Sequence, residues 1–306
     1  MTTQEVAKEK VRRRAATQWA VAWRRFRRNK SGIAGLAIVM AFVIIAIATT
    51  VDPHLLPYPQ RSTESLYQGQ AGQPPSWAHP FGTEPSGVDV FSDSMWAVRN
   101  DLYVGLAATG IAVVLGVLIG AVAGYFRGYV SQAILSIIQV FFVIPVLLLI
   151  LFFARIFQVL VIHGYGLTLI VLILGVFGWS GIAFVVRGQV FTVRELEYIQ
   201  AAKALGAKGS RVLLRHIIPN ILTPVIVLGS LAVAGNILTE VVLSYLGFGD
   251  ANVATWGTLI AEGEAFGASI YWWVAFFPGL LVVICVLGFN LLGDGLSDAL
   301  NPRLRE

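Results

Sequence analysis

Charge is what this sequence has least of. Only 13% of its 306 residues are Asp, Glu, Lys or Arg, while 57% are hydrophobic; an ordinary soluble domain carries about 25% charged residues. A water-soluble fold of this length would leave too much apolar surface in water, whereas lipid tails solvate Leu, Ile and Val as well as a core does. Cysteine is almost missing: Cys285 stands alone, inside an apolar run, so an intrachain disulfide is excluded. The five lysines are Lys8, Lys10, Lys30, Lys203 and Lys208. None is framed as G-x-x-x-x-G-K-[ST], the loop whose backbone amides cradle phosphates. No H-E-x-x-H or paired-cysteine spacing occurs, and His54, His79, His163 and His216 lie far apart. Gly178-Trp179-Ser180-Gly181 falls one residue short of G-x-S-x-G. The chain is therefore expected to be no enzyme, with no catalytic residue, metal or cofactor of its own; if ATP drives it, a partner hydrolyses it.

What is present is a set of long apolar runs. Crossing about 30 Å of hydrocarbon takes roughly 20 apolar residues, and six runs qualify: Ile33–Val51, Tyr103–Phe126, Ile134–Ala154, Leu167–Val186, Ile221–Leu243 and Trp272–Leu292. The expected fold class is all-α, a polytopic membrane protein of six transmembrane helices. Nineteen of the 22 lysines and arginines lie before the first run, at Arg127, between Arg187 and Pro219, or in the tail at Arg303 and Arg305. Only Arg61, Arg99 and Arg155 occupy the alternate connections. The positive-inside rule then puts both termini in the cytoplasm, as an even number of spans also requires. This segregation, rather than a basic soluble face, accounts for the sequence pI near 9.5, so nucleic acid is not an expected partner.

Four segments follow from this reading: a cytoplasmic basic arm at 1–32, a first transmembrane helix at 33–51, an external segment at 52–102 and a permease-like core at 103–306. The arm interleaves Trp19, Trp23 and Phe26 with arginines, which suits an interfacial anchor on anionic lipid. Its length, and that of the run ending near Ala46-Ile47-Ala48, exceed those of a cleaved signal peptide. The external segment holds seven of the twelve prolines and reads first as extended loop. Ser86-Gly87-Val88-Asp89 then resembles a capping box, and Phe91, Met95, Val98 and Leu102 follow at helical spacing, predicting a short interfacial helix that feeds the second span.

Polar residues inside the spans mark solute or ion paths, and few occur: Gln139, Asn236, Glu240 and Asn290. Glu240 falls near the outer end of its run, where interfacial solvation explains it. Asp294 and Asp298 fall past the sixth run, in the cytoplasmic tail. External His79, Glu84, Asp89 and Asp93 have the chemistry of a hard-cation site, although Asp89 already has a capping role. The set is too poor for an ordinary proton- or sodium-coupled carrier.

The longest cytoplasmic connection, 187–220, is the informative one. Thr192-Val193-Arg194-Glu195 reads as a capping box, followed by helix formers through Leu205. Gly206 interrupts, a second short helix is expected from Lys208 to Ile217, and Pro219 stops it. Ala201, Ala202 and Ala204 leave room for another surface to approach closely, with Glu197, Lys203 and Arg211 setting its register.

These residues carry a resemblance. Gln200-Ala201-Ala202-x3-Gly206, nine residues, then His216-Ile217-Ile218-Pro219, resembles the EAA loop of ABC importer permeases. Several further stretches are similar to the dipeptide/oligopeptide/nickel permease family: Val186–Val190, Arg194–Tyr198, Arg215–Asn220, Leu243–Gly249 and Phe289–Leu296. Trp23–Lys30 and His79-Pro80-Phe81-Gly82-Thr83 resemble that family's second permease subunit. The likeness covers most of residues 20–305.

The resemblance implies a type I ABC importer permease fold and a homologous permease partner. It also implies two ATPase subunits that hold ATP and Mg and dock on the loop, and an extracytoplasmic solute-binding protein. On the matching positions, the coupling residues are Glu197, Gln200, Ala201, Ala202, Gly206, Arg211, His216 and Pro219. The sequence departs from the family where Gln200 stands for a glutamate, Ser131 and Gln139 for acids, Val88 and Asp93 for arginines, and Asn301 for an aspartate. The competing reading is a self-sufficient carrier or channel acting as a homo-oligomer.

Overall fold

The computed structural model describes residues 20–52, 55–56, 71–156, 165–249, 253–267 and 269–300. Most of the arm, the first half of the external segment, Asn301 and the tail arginines lie outside these residues. The main helices are α1 (Lys30–Val51), α2 (Val90–Tyr125), α3 (Tyr129–Val143), α4 (Val146–Ile156), α5 (Gly166–Phe177) and α6 (Trp179–Val193). They continue with α7 (Glu197–Ala204), α8 (Gly209–Val212), α9 (Ile218–Tyr245), α10 (Trp256–Ala265) and α11 (Trp272–Leu300). The described residues form no named strand; their one isolated β-bridge joins Thr83 and Asp89.

Five spans long and apolar enough to cross a bilayer are Lys30–Val51, Val90–Tyr125, Gly166–Val193, Gly209–Tyr245 and Trp272–Leu300. The expected third span is instead two helices, α3 and α4, meeting at 86°. Pro145 sits at the break, where it can donate no N–H to α3, and its carbonyl opens α4 by accepting from Leu148 and Leu149 N–H. The count is therefore six only when this bent pair is taken as one span.

The long central helix α2 lies against α1, α5, α6 and α9. Its glycines at 116, 120 and 124 let α6 approach backbone to backbone: a Cβ at Gly120 would lie 2.5 Å from the Ala183 carbonyl oxygen. Small residues do this work in membranes because apolar faces gain nothing from leaving lipid for each other. The same device joins α1 to α11, where a Cβ on Gly35 would lie 2.4 Å from the Leu292 nitrogen. Phe26, at the end of the helical turns at 20–26, is buried over this crossing against Gly32 and Gly295.

Several local expectations are corrected. No separate interfacial helix precedes the second span; α2 runs unbroken for 36 residues from Val90. Asp89, rather than Ser86, is its N-cap, accepting from the Ser92 N–H at 2.7 Å, while the Ser86 hydroxyl donates to Glu84. Asp89 also pairs with His79 at 2.7 Å, and no cluster of three or more metal-ligating side chains occurs among the described residues. Asp294 and Asp298 lie within α11, and Asp298 accepts from the Asn29 side chain that caps α1.

The His79–Thr83 stretch locks the external segment to α11. Phe81 stacks on Phe277 at 4.2 Å, and the Thr83 carbonyl accepts from the Trp273 indole N–H.

Candidate functional site

The connection between α6 and α9 leaves the helical body as α7, a turn at Gly206, α8 and a π-helical turn at Leu213–Ile217. The helix–turn–helix outline is as read from the sequence, but its ends differ. Thr192 does not cap α7: it lies in the last turn of α6, its hydroxyl donating to the Gly188 carbonyl. Leu196 occupies the N-cap position of α7 without a side-chain bond. Pro219 does not end the second helix either. It sits in the first turn of α9, where a missing N–H costs nothing, and the chain runs from α8 into the span without a break.

Arg194 anchors this connection. Arg194 is 3% exposed, and its guanidinium donates to the carbonyls of Gly124, Tyr125 and Phe126 at 2.6, 3.1 and 3.4 Å. These are C-terminal carbonyls of α2, whose last turn contains no basic residue of its own, so Arg194 supplies the cation a helix C-terminus favours. Glu195 accepts from Arg194 and from Arg127, at 3.0 and 2.6 Å. Arg127 first, and Arg194 second, hold its carboxyl below the ordinary value.

The apolar anchor is Ile199, fully buried among Val186, Val190, Val212, Ile217 and Ile221. Gln200 donates to the Arg194 carbonyl at 2.9 Å, and the Lys203 ammonium lies over the Tyr125 ring. Lys203 is thus engaged within the chain. Glu197, Gln200, Ala201, Gly206, Arg211 and Pro219 are exposed, and Ala202 and His216 half-buried. Gly206 has φ +82°, and a Cβ there would meet no atom within 4 Å. The element therefore has one face buried against α2 and α6 and another that presents small and apolar groups outward, including Tyr198 and Leu205.

Elsewhere, Asn236 donates to Thr109, tying α9 to α2, while Gln139 and Asn290 are exposed on α3 and α11. Ser131, at a departure from the family pattern, accepts from Arg187. Glu240 is not solvated at an interface: it is completely buried. Sequence reading missed Arg194 as an anchor, though an arginine directly following an apolar helix of 28 residues was the visible signal.

Residues 116–306 match the family of binding-protein-dependent transport system inner membrane components. The chain belongs to that family. Residues 17–75 also match the N-terminal transmembrane domain of oligopeptide transport permease C. The permease is 37% identical to the dipeptide transport system permease protein of Bacillus subtilis, over 97% of this chain and 90% of the relative. It is 35% identical to the oligopeptide transport system permease protein of the same organism, over 97% and 94% respectively. It is 33% identical to the glutathione transport system permease protein of Pectobacterium atrosepticum, over 95% and 93%. The match establishes a permease subunit of an ABC importer with the type I permease fold in place of the self-sufficient carrier.

Proposed function

We propose that this permease forms half of a translocation pathway for peptides, completed by a homologous second permease subunit. Two ATPase subunits dock on the 187–220 connection and hold the ATP and Mg, and an extracytoplasmic solute-binding protein delivers the solute. The chain itself catalyses no reaction and carries no cofactor. It sits in the cell membrane with both termini in the cytoplasm, as the distribution of its basic residues favours. The peptide assignment rests on relatives named for dipeptides, oligopeptides and glutathione, itself a tripeptide.

The observation that carries the reading is the outward face around Ala201 and Gly206. Leu205 is 88% exposed at its tip beside exposed Tyr198, on an element whose opposite side is fixed by Ile199 and Arg194. Glu197, Gln200, Ala202, Arg211, His216 and Pro219 surround the same element, and through Pro219 any displacement passes directly into α9.

Ala201→Asp tests it. The position is exposed in the free subunit, so membrane insertion and pairing with the partner permease are expected to survive. Within an ATPase contact that excludes water, the unpaired charge costs about 1–3 kcal/mol. The expected result is an inserted complex that has lost its ATPase subunits or its solute-stimulated ATP hydrolysis, while the subunit alone hydrolyses nothing. A variant that binds ATPases and transports normally would reduce the loop to a connector.

A further inference from the structure

At the end of α2 opposite the loop, three elements converge on two acids. Asp101 of α2 and Glu240 of α9 are both completely buried. The Asp101 Oδ2 accepts the Trp256 backbone N–H at 3.0 Å, at the N-terminus of α10. The Glu240 Oε1 accepts the Ser244 hydroxyl at 2.6 Å. The remaining oxygens, Asp101 Oδ1 and Glu240 Oε2, are buried with no hydrogen bond of good geometry. The Thr255 hydroxyl lies near Glu240, and the two carboxyl groups lie within hydrogen-bonding reach of each other, with no donor among the described residues facing Asp101 Oδ1.

An ionised carboxylate only accepts hydrogen bonds, so two of them cannot bond to each other; a proton on one supplies the missing donor. We propose that Asp101 and Glu240 form a shared-proton site, one proton held between the two carboxyl groups and latching the start of α10 to α2 and α9.

The surroundings favour a proton over a permanent counter-cation. The groups acting on Asp101 are the Glu240 carboxyl and the Trp256 N–H, and those on Glu240 are Asp101, Ser244 and Thr255. No lysine, arginine or histidine is among them. From α11 the titratable group facing Asp101 is the Cys285 thiol. The described parts of α1 from Gly32 onward and of α5 carry no ionisable side chain, and α10 carries Glu262 and Glu264, both acids. Phe42, Val98, Ile237, Val241 and Trp256 close the site in one apolar cluster. Two negative charges in contact in such a setting repel strongly, so the pair holds its proton jointly rather than on either residue.

The latch has more than one strand. The Asn100 side chain donates to the Ala254 carbonyl at 2.7 Å, and the Trp256 indole donates to the Ser94 carbonyl. Asp101 is the member of this set whose bond to α10 depends on a proton at its neighbour. Losing the proton puts two charges beneath the α10 N-terminus and loosens the connection between α9 and α11.

The test is infrared spectroscopy of the full-length permease in lipid nanodiscs, with a pH titration of thermal stability. At neutral pH the wild type is expected to show a protonated carboxyl C=O stretch that Asp101→Asn and Glu240→Gln each abolish. Raising the pH should remove the band and lower the Tm of the wild type, whereas Glu240→Gln, which carries its own donor, should keep its Tm over the same range. The spectrum and titration of the wild type decide the matter even where a variant fails to fold. Two ionised carboxylates at neutral pH, with or without added sodium, would overturn the proposal. So would the same alkaline fall in Tm in Glu240→Gln. Neither result bears on the ATPase-docking loop, which the Ala201→Asp experiment addresses separately.

Discussion

Arg194 shows how much one side chain can organise when the backbone around it has run out of partners. The carbonyls at the end of α2 lack intrahelical donors, and one arm of the guanidinium fork, Nη1, meets three of them while Nε holds Glu195. Arg194→Met keeps the length and the apolar stem but leaves buried acceptors unpaired, at a cost of about 1–3 kcal/mol. The expected outcome is a lower Tm of the purified subunit and faster tryptic cleavage in the 187–220 connection. Arg194→Lys should recover only part of the loss, because one ammonium cannot reproduce the fork. Glu195 adds a pH dependence of known sign. Its carboxyl lies below the ordinary value because Arg127 and Arg194 favour the charged form. Its stabilising contribution is therefore complete above the ordinary carboxylate range and lost as pH falls through the lowered value. This pair is exposed, so salt should weaken it as acid does. Glu195→Gln should flatten both responses in the same proteolysis assay.

At the level of elements, hydropathy located the apolar runs because each is solvated by lipid along its own length, a property that needs no tertiary information. It did not locate their ends. Ser92–Asp101 reads as a separate short helix at the outer interface, yet α2 runs through it unbroken, with the Asn100 and Asp101 side chains and the Ser94 carbonyl bonded to residues 254–256. The partner segment lies more than 150 positions away, and no local pattern encodes it. Glu240 was misread for the same reason: its neighbour Asp101 is on another helix. The 86° break at Pro145 was legible in principle, since a proline inside an apolar run cannot continue the hydrogen-bond ladder. The turn at Gly206 was legible and rests on backbone alone. With φ +82° and open space around the missing Cβ, Gly206→Val is opposed by conformational strain of about 1–3 kcal/mol rather than by a clash. Gly206→Asn, which tolerates this region, should behave close to wild type. Comparing solute-stimulated ATP hydrolysis of the two variants in the assembled transporter separates turn geometry from loss of a contact; equal impairment would exclude the geometric explanation.

On the scale of the molecule, α2 gives the distance between the two ends of the permease. From Asp101, beneath α10, to Tyr125, beneath Arg194, the helix advances about 36 Å at 1.5 Å per residue. That exceeds the roughly 30 Å thickness of hydrocarbon, so the α10 end and the Gly206 loop belong on opposite sides of the bilayer. Which side is which follows from charge. The 187–220 connection carries six lysines and arginines, whereas 244–271 carries none. Short loops retained in the cytoplasm are the ones enriched in such residues. The prediction is made testable by the single cysteine, which is buried and replaceable: on a Cys285→Ser background, cysteines are introduced singly as Ser65→Cys, Ser210→Cys and Ser269→Cys. Ser210 and Ser269 are both exposed, so neither is shielded by this chain. A membrane-impermeant thiol reagent applied to cells with an accessible outer face should label Ser65→Cys and Ser269→Cys, and should reach Ser210→Cys only after the membrane is opened. Labelling of Ser210→Cys from outside would invert the topology and remove the loop from the compartment where ATPase subunits could meet it.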